Sequence, residues 1–399
     1  MSGPDISKVK KAIKKLNIPK DYWGIDLNNF FEYQWNIYIS IRETAGKTTQ
    51  SLLLGLQLAA LYPDKYRIEY LRNDTAQCTR SNVETLFDTI KAFHYIEKIF
   101  NGKYNDVIYK PNIKKFFLCK TDDEGSVIDI NDDPICVIHS LENWLNMKSS
   151  YNAGGKGNFI LLDEFPDTSR STYQIFPQLL NVVSTIGRPL SPGARDWLHI
   201  LLIGNNTDEY CFYFDDFQIA EEIPYLKFGG SITFRTEYNT TGICKLLELG
   251  ETQKKRLADK DIPYLGFSGK KAAPFTGESE WGGEQYKHIS FDLDYEECFF
   301  RRAYIYHRGR YIQIDLFNNK EVGRFAFFHF ASAPKLNDNL IFTIDPERAS
   351  DIYGFGKYEK RDKILKVCKI ITDLLKENRV YYASNKVGSL SADFIKNIR

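Results

Sequence analysis

The sequence predicts an α/β fold: a mainly parallel sheet between helices, then a polar connector, then a smaller α+β domain. Three observations carry that prediction. Uniformly apolar strand candidates alternate with helical stretches from Trp35 to Asn206, the pattern of strands covered on both faces. Aromatic residues make up 15 % of the chain, with 28 Phe and 25 Tyr, which favours a packed, strand-rich protein over disorder. After about residue 235 the texture changes, and 399 residues suffice for more than one core. The domains are accordingly placed at 1–235, 236–285 and 286–399.

Taken in order, Val9, Ile13 and Leu16 in the lysine-rich start have helical spacing, so this segment reads as an amphipathic helix with a solvated or nucleic-acid-facing outer side. "WNIYISI" (35–41) reads as a buried strand, followed by a glycine-bearing loop and the apolar helix "KTTQSLLLGLQLAALY". "YRIEYLR" (66–72) is a second strand. A long helix is expected from Asp74, its N-cap, to Phe100, with a stripe at Val83, Leu86, Phe87, Ile90 and Phe93. Four short strands follow, "DVIYK", "KKFFLC", "SVIDI" and "ICVIHS", the middle two joined by the turn signal "KTDDEGS". "GNFILLDEF" (157–165) and "WLHILLIGNN" (197–206) are further buried strands flanking the helical "YQIFPQLLNVVSTIG".

Residues 250–285 are polar and rich in Gly and Pro, the composition of a connector. Beyond them "HISFDL", "CFFRRAYIYHRGRYIQIDLF" and "RFAFFHFA" alternate like antiparallel strands, with a turn at His307 to Arg310. An amphipathic helix through Ile364, Val367, Cys368, Ile371, Leu374 and Leu375 closes the pattern.

Lys and Arg total 53 against 52 Asp and Glu, so any affinity for nucleic acid or membrane must come from local patches. Seven cysteines stand singly, which argues against a disulfide framework or zinc site and for a reducing compartment. The N-terminus lacks an apolar signal region and "SLLLGLQLAALY" is too short to span a bilayer, so a soluble, cytoplasmic protein without a membrane partner is expected.

The chemistry lies in the apolar strands' C-terminal ends. In "SIRETAGKTT" (40–49), Gly46, Lys47, Thr48 and Thr49 resemble the end of a phosphate-binding loop: backbone N–H groups and a helix N-terminus surround phosphates, a lysine adds charge and a hydroxyl holds Mg²⁺. Ile41 stands where the first glycine of the motif belongs, while Thr44 and Ala45 are small enough for the loop to curl. Arg42 would contact phosphate or pair with Glu43. In "FILLDEF", Asp163 is positioned to hold Mg²⁺ through water and Glu164 to deprotonate the attacking water. Asn205 and Asn206 end the next strand, where a polar residue senses the γ-phosphate or simply builds a turn. Arg188 lies in the loop after the helix that follows Glu164, placed for a finger across a subunit interface or for a surface charge. Lys148, just before the Asp163 strand, is expected to serve a channel or a neighbour's nucleotide. Together these predict a P-loop NTPase domain of the additional-strand, catalytic-glutamate type, with ATP and Mg²⁺ as cofactors.

"NIYISIRETAGKTT", "MKSSYNAGGKGNFILLDEF" and "LLNVVSTIGR" followed by "HILLIGNN" resemble the DNA-packaging (encapsidation) ATPases of small tailed phages, relatives of the large-terminase motors. "AYIYHRGRYIQIDL" is similar to a strand pair of that family's C-terminal domain. The resemblance implies a homo-oligomeric ring, a pentamer, that threads double-stranded DNA through the portal into a procapsid while hydrolysing ATP. The ring would act in the host cytoplasm, attached transiently to the portal vertex and absent from the mature virion; a structural packaging RNA is a further candidate partner. Lys47 and Thr48 would then bind triphosphate and Mg²⁺, Asp163 would be the Walker-B acid, Glu164 the base and Asn205 the coupling residue. Arg188 matches the finger acting in trans, and Lys148 a lysine acting in trans or toward DNA.

The resemblance also implies a ribonuclease-H-like C-terminal domain that has lost its catalytic acids. Asp292, Asp294 and Asp315 are acids on candidate strands there, so a working metal-dependent nuclease stays open. From residue 286 onward 20 Lys and Arg face 15 Asp and Glu, a balance that suits contact with nucleic acid or portal. The alternatives are a terminase with active nuclease, a helicase-type motor, and an assembly protein that uses ATP without translocation.

Overall fold

The computed structural model describes residues 3–18, 24–40, 46–147, 151, 156–166, 175–186, 197–205, 211–236, 240–247, 286–289, 291–334, 340–344 and 358–397. The chain divides into two compact units, Met1–Gly283 and Glu284–Arg399.

The first unit opens with α1 (Ile6–Lys15) and α2 (Leu27–Glu32), each started by an aspartate, Asp5 or Asp26, whose carboxylate accepts backbone N–H bonds. Val9 and Leu16 are buried while the α1 lysines face outward. Strand β1 (Trp35–Ser40) leads toward α3 (Lys47–Leu61), whose "SLLLGLQLA" stretch is buried all round, as a helix that is apolar on every side must be. β2 (Ile68–Arg72) follows.

The expected long helix is broken into a 3₁₀ turn (Thr75–Cys78) and three short helices, α4 (Arg80–Val83), α5 (Asp88–Ala92) and α6 (Tyr95–Ile99). Asp74 does cap, but it caps the 3₁₀ turn through a reciprocal pair with Gln77. The first break falls where polar side chains compete with the helix: Asn82 donates to the Ala76 carbonyl, and Thr79 and Ser81 bond each other; the last falls at His94, at φ 54°. Val83, Phe87 and Ile90 still reach the core, whereas Phe93 stays exposed.

β3 (Asp106–Lys110), β4 (Lys115–Thr121) and β5 (Val127–Ser140) form an antiparallel extension, the last being one strand where two were expected. Next come α7 (Trp144–Met147), β6 (Phe159–Asp163), α8 (Ile175–Ile186), β7 (His199–Asn205), α9 (Phe212–Asp216), β8 (Ser231–Arg235) and β9 (Thr241–Leu246). Among the described residues the sheet order is β3-β4-β5-β2-β6-β7-β1-β9-β8. Every pairing from β5 through β9 is parallel. β9 pairs with β1, so the first fold continues past residue 235 into the segment assigned to a connector; residues 248–285 lie outside the described residues.

Alternation along these strands divides the core in two. Leu161 and Tyr70 face α3, while Ile160, Leu162 and Leu71 face α8. The register that pairs Ser40 with Asn205 and Leu71 with Leu162 brings Ser40, Arg72, Asp163 and Asn205 to one edge, the carboxyl edge where ligands of open α/β sheets bind.

The second unit has a five-stranded sheet, β13-β10-β11-β12-β14 among the described residues. Its strands are β10 (Cys298–His307), β11 (Arg310–Asn319), β12 (Gly323–Ala331), β13 (Leu340–Thr343) and β14 (Val380–Tyr382), with helices α10 (Tyr358–Lys376) and α11 (Asn385–Asn397). β10, β11 and β12 form the expected antiparallel meander. "HISFDL" is not a strand: Asp294 instead caps a short 3₁₀ turn by accepting from the Glu296 N–H, and Asp292 lies in irregular chain before it. The seven cysteines are free thiols, and no helix among the described residues is long and apolar enough to cross a membrane.

Candidate nucleotide site

Ile41, Arg42, Thr44 and Ala45 lie outside the described residues, as do Lys148, Arg188 and Asn206. The site is built from what flanks them. Gly46 has φ 71°, a left-handed conformation that costs glycine nothing, and turns the chain into α3. The N-cap residue Gly46 brings no side-chain cap, and the first N–H groups of α3 and the positive end of its dipole lie at the carboxyl edge of the sheet.

Lys47, the first residue of α3, is 6 % exposed, and its ammonium spans two strand tips. It donates to Ser40 Oγ on β1 at 2.5 Å and to Asn205 Oδ1 on β7 at 2.9 Å. Thr48 Oγ1 donates to Asp163 Oδ2 at 3.0 Å, and Asp163 is 4 % exposed at the end of β6. Because the hydroxyl proton goes to the carboxylate, the Thr48 oxygen keeps its lone pairs for a cation. Thr49 is the next residue of α3, half-buried. The strand order places β7 between β6 and β1, and Asn205 ends it.

Two residues that sequence reasoning passed over complete the cluster. Tyr70, fully buried on β2, donates to Asp163 Oδ2 at 2.8 Å and accepts from Arg72 Nε at 2.8 Å. Arg72, at the tip of the same strand, approaches Asp163 Oδ2 at 3.4 Å with Nη2 and forms an ion pair with Glu164 through Nη1. Burial works against the Arg72 charge, but Asp163, Tyr70 and Glu164 outweigh it and hold its pKa above the usual arginine value. Burial and the neighbouring Asp163 charge both keep the Tyr70 phenol protonated. An arginine closing an apolar strand was the available signal.

Glu164 is half-exposed and sits at φ 57°, uncommon for a residue with a side chain. Asn73 braces that turn, donating to the Glu164 carbonyl at 3.4 Å and to the Phe165 carbonyl at 3.1 Å. Tyr213 on α9 in turn donates to Asn73 Oδ1 at 2.8 Å. Gly204 on β7 lies against Pro166 and Phe165 so closely that a Cβ there would collide with the Pro166 ring.

Beneath the sheet's other face, Glu69 is fully buried and accepts from Arg67 Nε at 2.9 Å and Tyr151 OH at 2.5 Å, with His139 Nε2 at 2.7 Å. Burial alone would raise its pKa, yet the His139 and Arg67 contacts prevail and lower it.

In the second unit Asp315 is buried and spoken for: His329 Nε2 lies 3.1 Å from Oδ2 and Gln313 Nε2 donates to Oδ1 at 2.7 Å. The hydrogen bond to Asp315 raises the His329 pKa. With Asp292 and Asp294 off the strands, no group of three or more His, Cys, Asp or Glu able to hold a metal occurs among the described residues.

A buried lysine across the tips of two parallel strands, a helix start beside it and a hydroxyl–carboxylate pair mark one edge of a mixed α/β unit with a mostly parallel sheet. The whole chain is similar in fold to the phi-28 gp11 DNA packaging motor, with a TM-score of 0.54 and 13 % identity over 95 % of this chain and 98 % of that one. The N-terminal domain of the DNA packaging ATPase from bacteriophage phi29 gives a TM-score of 0.38 at 16 % identity, covering 54 % of this chain and 91 % of that one. The Thermus phage P74-26 large terminase ATPase domain gives 0.36 at 11 %, covering 61 % and 88 %. At 13 % identity the first likeness shows a shared fold; the other two are too distant to show one. No family model matches the sequence, and no curated protein matches it.

Proposed function

We propose that this protein is an ATPase that drives double-stranded DNA into a preformed procapsid, acting as a homopentameric ring on the portal vertex in the host cytoplasm. The observation that carries the reading is the pairing of Lys47 with Asn205 and of Thr48 with Asp163 at one sheet edge. The fold shared with a phage DNA packaging motor supports the choice of DNA as the substrate moved.

The donor set suits Mg·ATP. A hydroxyl and a carboxylate are hard oxygen donors 3.0 Å apart, too few for an all-protein cage but normal for Mg²⁺ that shares phosphate oxygens and water. When bound, Mg²⁺ supplies Lewis-acid charge to those oxygens. Lys47 and the N–H groups opening α3 would bind the triphosphate, with Arg42, Thr44, Ala45 and Gly46 before the helix and Thr49 in its first turn. Thr48 would hold the cation, and Asp163 would hold it through water. Glu164 takes the proton of the attacking water once its carboxylate leaves Arg72, and Asn205 follows the γ-phosphate through Lys47. Arg188 and Lys148 act in trans from the neighbouring subunit. The second unit, read as a ribonuclease-H-like domain without working metal acids, contacts the portal, DNA or a structural RNA; the pairing of Asp315 with His329 and Gln313 favours this over an active nuclease.

The test is hydrolysis by purified protein with procapsids and DNA. DNA-stimulated ATPase activity that Lys47→Ala abolishes is expected; its absence in the unaltered protein would sink the motor reading. Glu164→Gln should still bind ATP but neither hydrolyse it nor package DNA. Assembly retained with packaging intact in that variant would favour a nucleotide-controlled assembly protein instead.

A further inference from the structure

We propose that Tyr70 is a positioning residue of the Mg²⁺ site, its hydroxyl fixing the Asp163 carboxylate beside Thr48 while seating Arg72 against Glu164. The inference rests on the reading of this site as an ATPase.

The argument begins with what a core position needs. Tyr70 is fully buried on the β2 face that looks toward α3, opposite Leu161 and in the same core cluster as the α3 leucines, where phenylalanine would fill the same space. A phenol hydroxyl in such surroundings costs free energy unless both its functions are used. Here both are: the proton goes to Asp163 Oδ2 and the oxygen accepts Arg72 Nε, each at 2.8 Å.

The choice of carboxylate oxygen matters. Oδ2 of Asp163 is also the acceptor for Thr48 Oγ1, so one oxygen gathers both neutral donors and the Arg72 contact. Three contacts converging on Oδ2 hold that oxygen beside Thr48. Residues that orient a metal-site carboxylate in this way set metal affinity without touching the metal. The same hydroxyl anchors the guanidinium that pairs with Glu164, so the cation-holding acid and the proton-accepting acid share one support.

The experiment uses the full chain carrying Glu164→Gln, in which turnover does not obscure binding. A fluorescent N-methylanthraniloyl ATP analogue is bound at increasing Mg²⁺, with and without Tyr70→Phe. The Mg²⁺ midpoint is expected to rise about tenfold, while metal-free binding of the analogue changes less than about twofold. Tyr70→Met, apolar and adaptable in packing, should give the same displacement if the phenylalanine variant does not fold. An unmoved midpoint, or metal-free and metal-dependent binding weakening in parallel, overturns the assignment in favour of plain packing. A parent chain that binds the analogue with no Mg²⁺ dependence overturns the ATPase reading itself, and this inference with it.

Discussion

Removing the guanidinium of Arg72 tests the electrostatic arrangement of the site most directly. Arg72 is 15 % exposed and Asp163 5 % exposed at their side chains, whereas Glu164 is 49 % exposed. Truncating one partner of a buried ion pair costs about 3–5 kcal/mol because the other charge stays buried. The Glu164 arm adds little, since solvent screens a half-exposed carboxylate. The Asp163 arm spans 3.4 Å, and that carboxylate keeps Thr48 and Tyr70 as donors. Arg72→Ala is therefore expected to cost about 2–3 kcal/mol, the low end of that range or just below it. In a unit of this size that lowers the unfolding midpoint by about 4–12 °C. Thermal unfolding of the full chain followed by near-ultraviolet circular dichroism measures it, with and without Mg²⁺ and ADP. On the proposed reading a bound cation would compensate Asp163 in place of Arg72, so the gap should narrow when both are added. A variant as stable as the parent, or a gap unchanged by Mg²⁺ and ADP, refutes the reasoning.

Three further outcomes are expected. Gly204→Ala should push Pro166 and with it the Glu164 turn out of place, lowering hydrolysis at least tenfold while equilibrium nucleotide binding stays near that of the parent. Asn73→Ala removes the donor that holds the Glu164 and Phe165 carbonyls; if Glu164 is the base, as proposed, kcat should fall in a rate assay with little change in KM. His199 is packed among Phe30, Phe31 and Tyr66 with neither ring nitrogen bonded, and burial lowers its pKa to about 3. Below pH 6.5 the unfolded chain takes up a proton that the folded chain refuses, so stability present above that pH declines by about 1.4 kcal/mol per unit as pH falls toward 3. His199→Phe should remove most of the difference in urea midpoint between pH 7 and pH 5.

The most local features were legible without a structure. Trp35–Ser40, Phe159–Asp163 and His199–Asn205 announce themselves as continuous apolar runs, and each is buried throughout or nearly so. The turn between β10 and β11 also follows from "HRGR", where the chain has little choice but to reverse. Reading failed where contacts at longer range compete with local preference. From Asp74 to Phe100 the apolar spacing suits one helix, yet Thr79, Ser81 and Asn82 find other bonds and the chain bends three times while keeping Val83, Phe87 and Ile90 inside.

The sequence by itself determined which groups could do chemistry: Lys47 and Thr48 at the start of an apolar helix, Asp163 and Glu164 at the end of an apolar strand, and Asn205 at the end of another. Only the tertiary structure decided that Arg72 and Tyr70 join them. Their strand lies next to β6 because nine strands settle into one order, and that order depends on how whole faces pack against α3 and α8, which no local stretch encodes. Side chains some 90 residues apart in the chain thus come within hydrogen-bonding distance, and the charge balance of the site depends on that meeting.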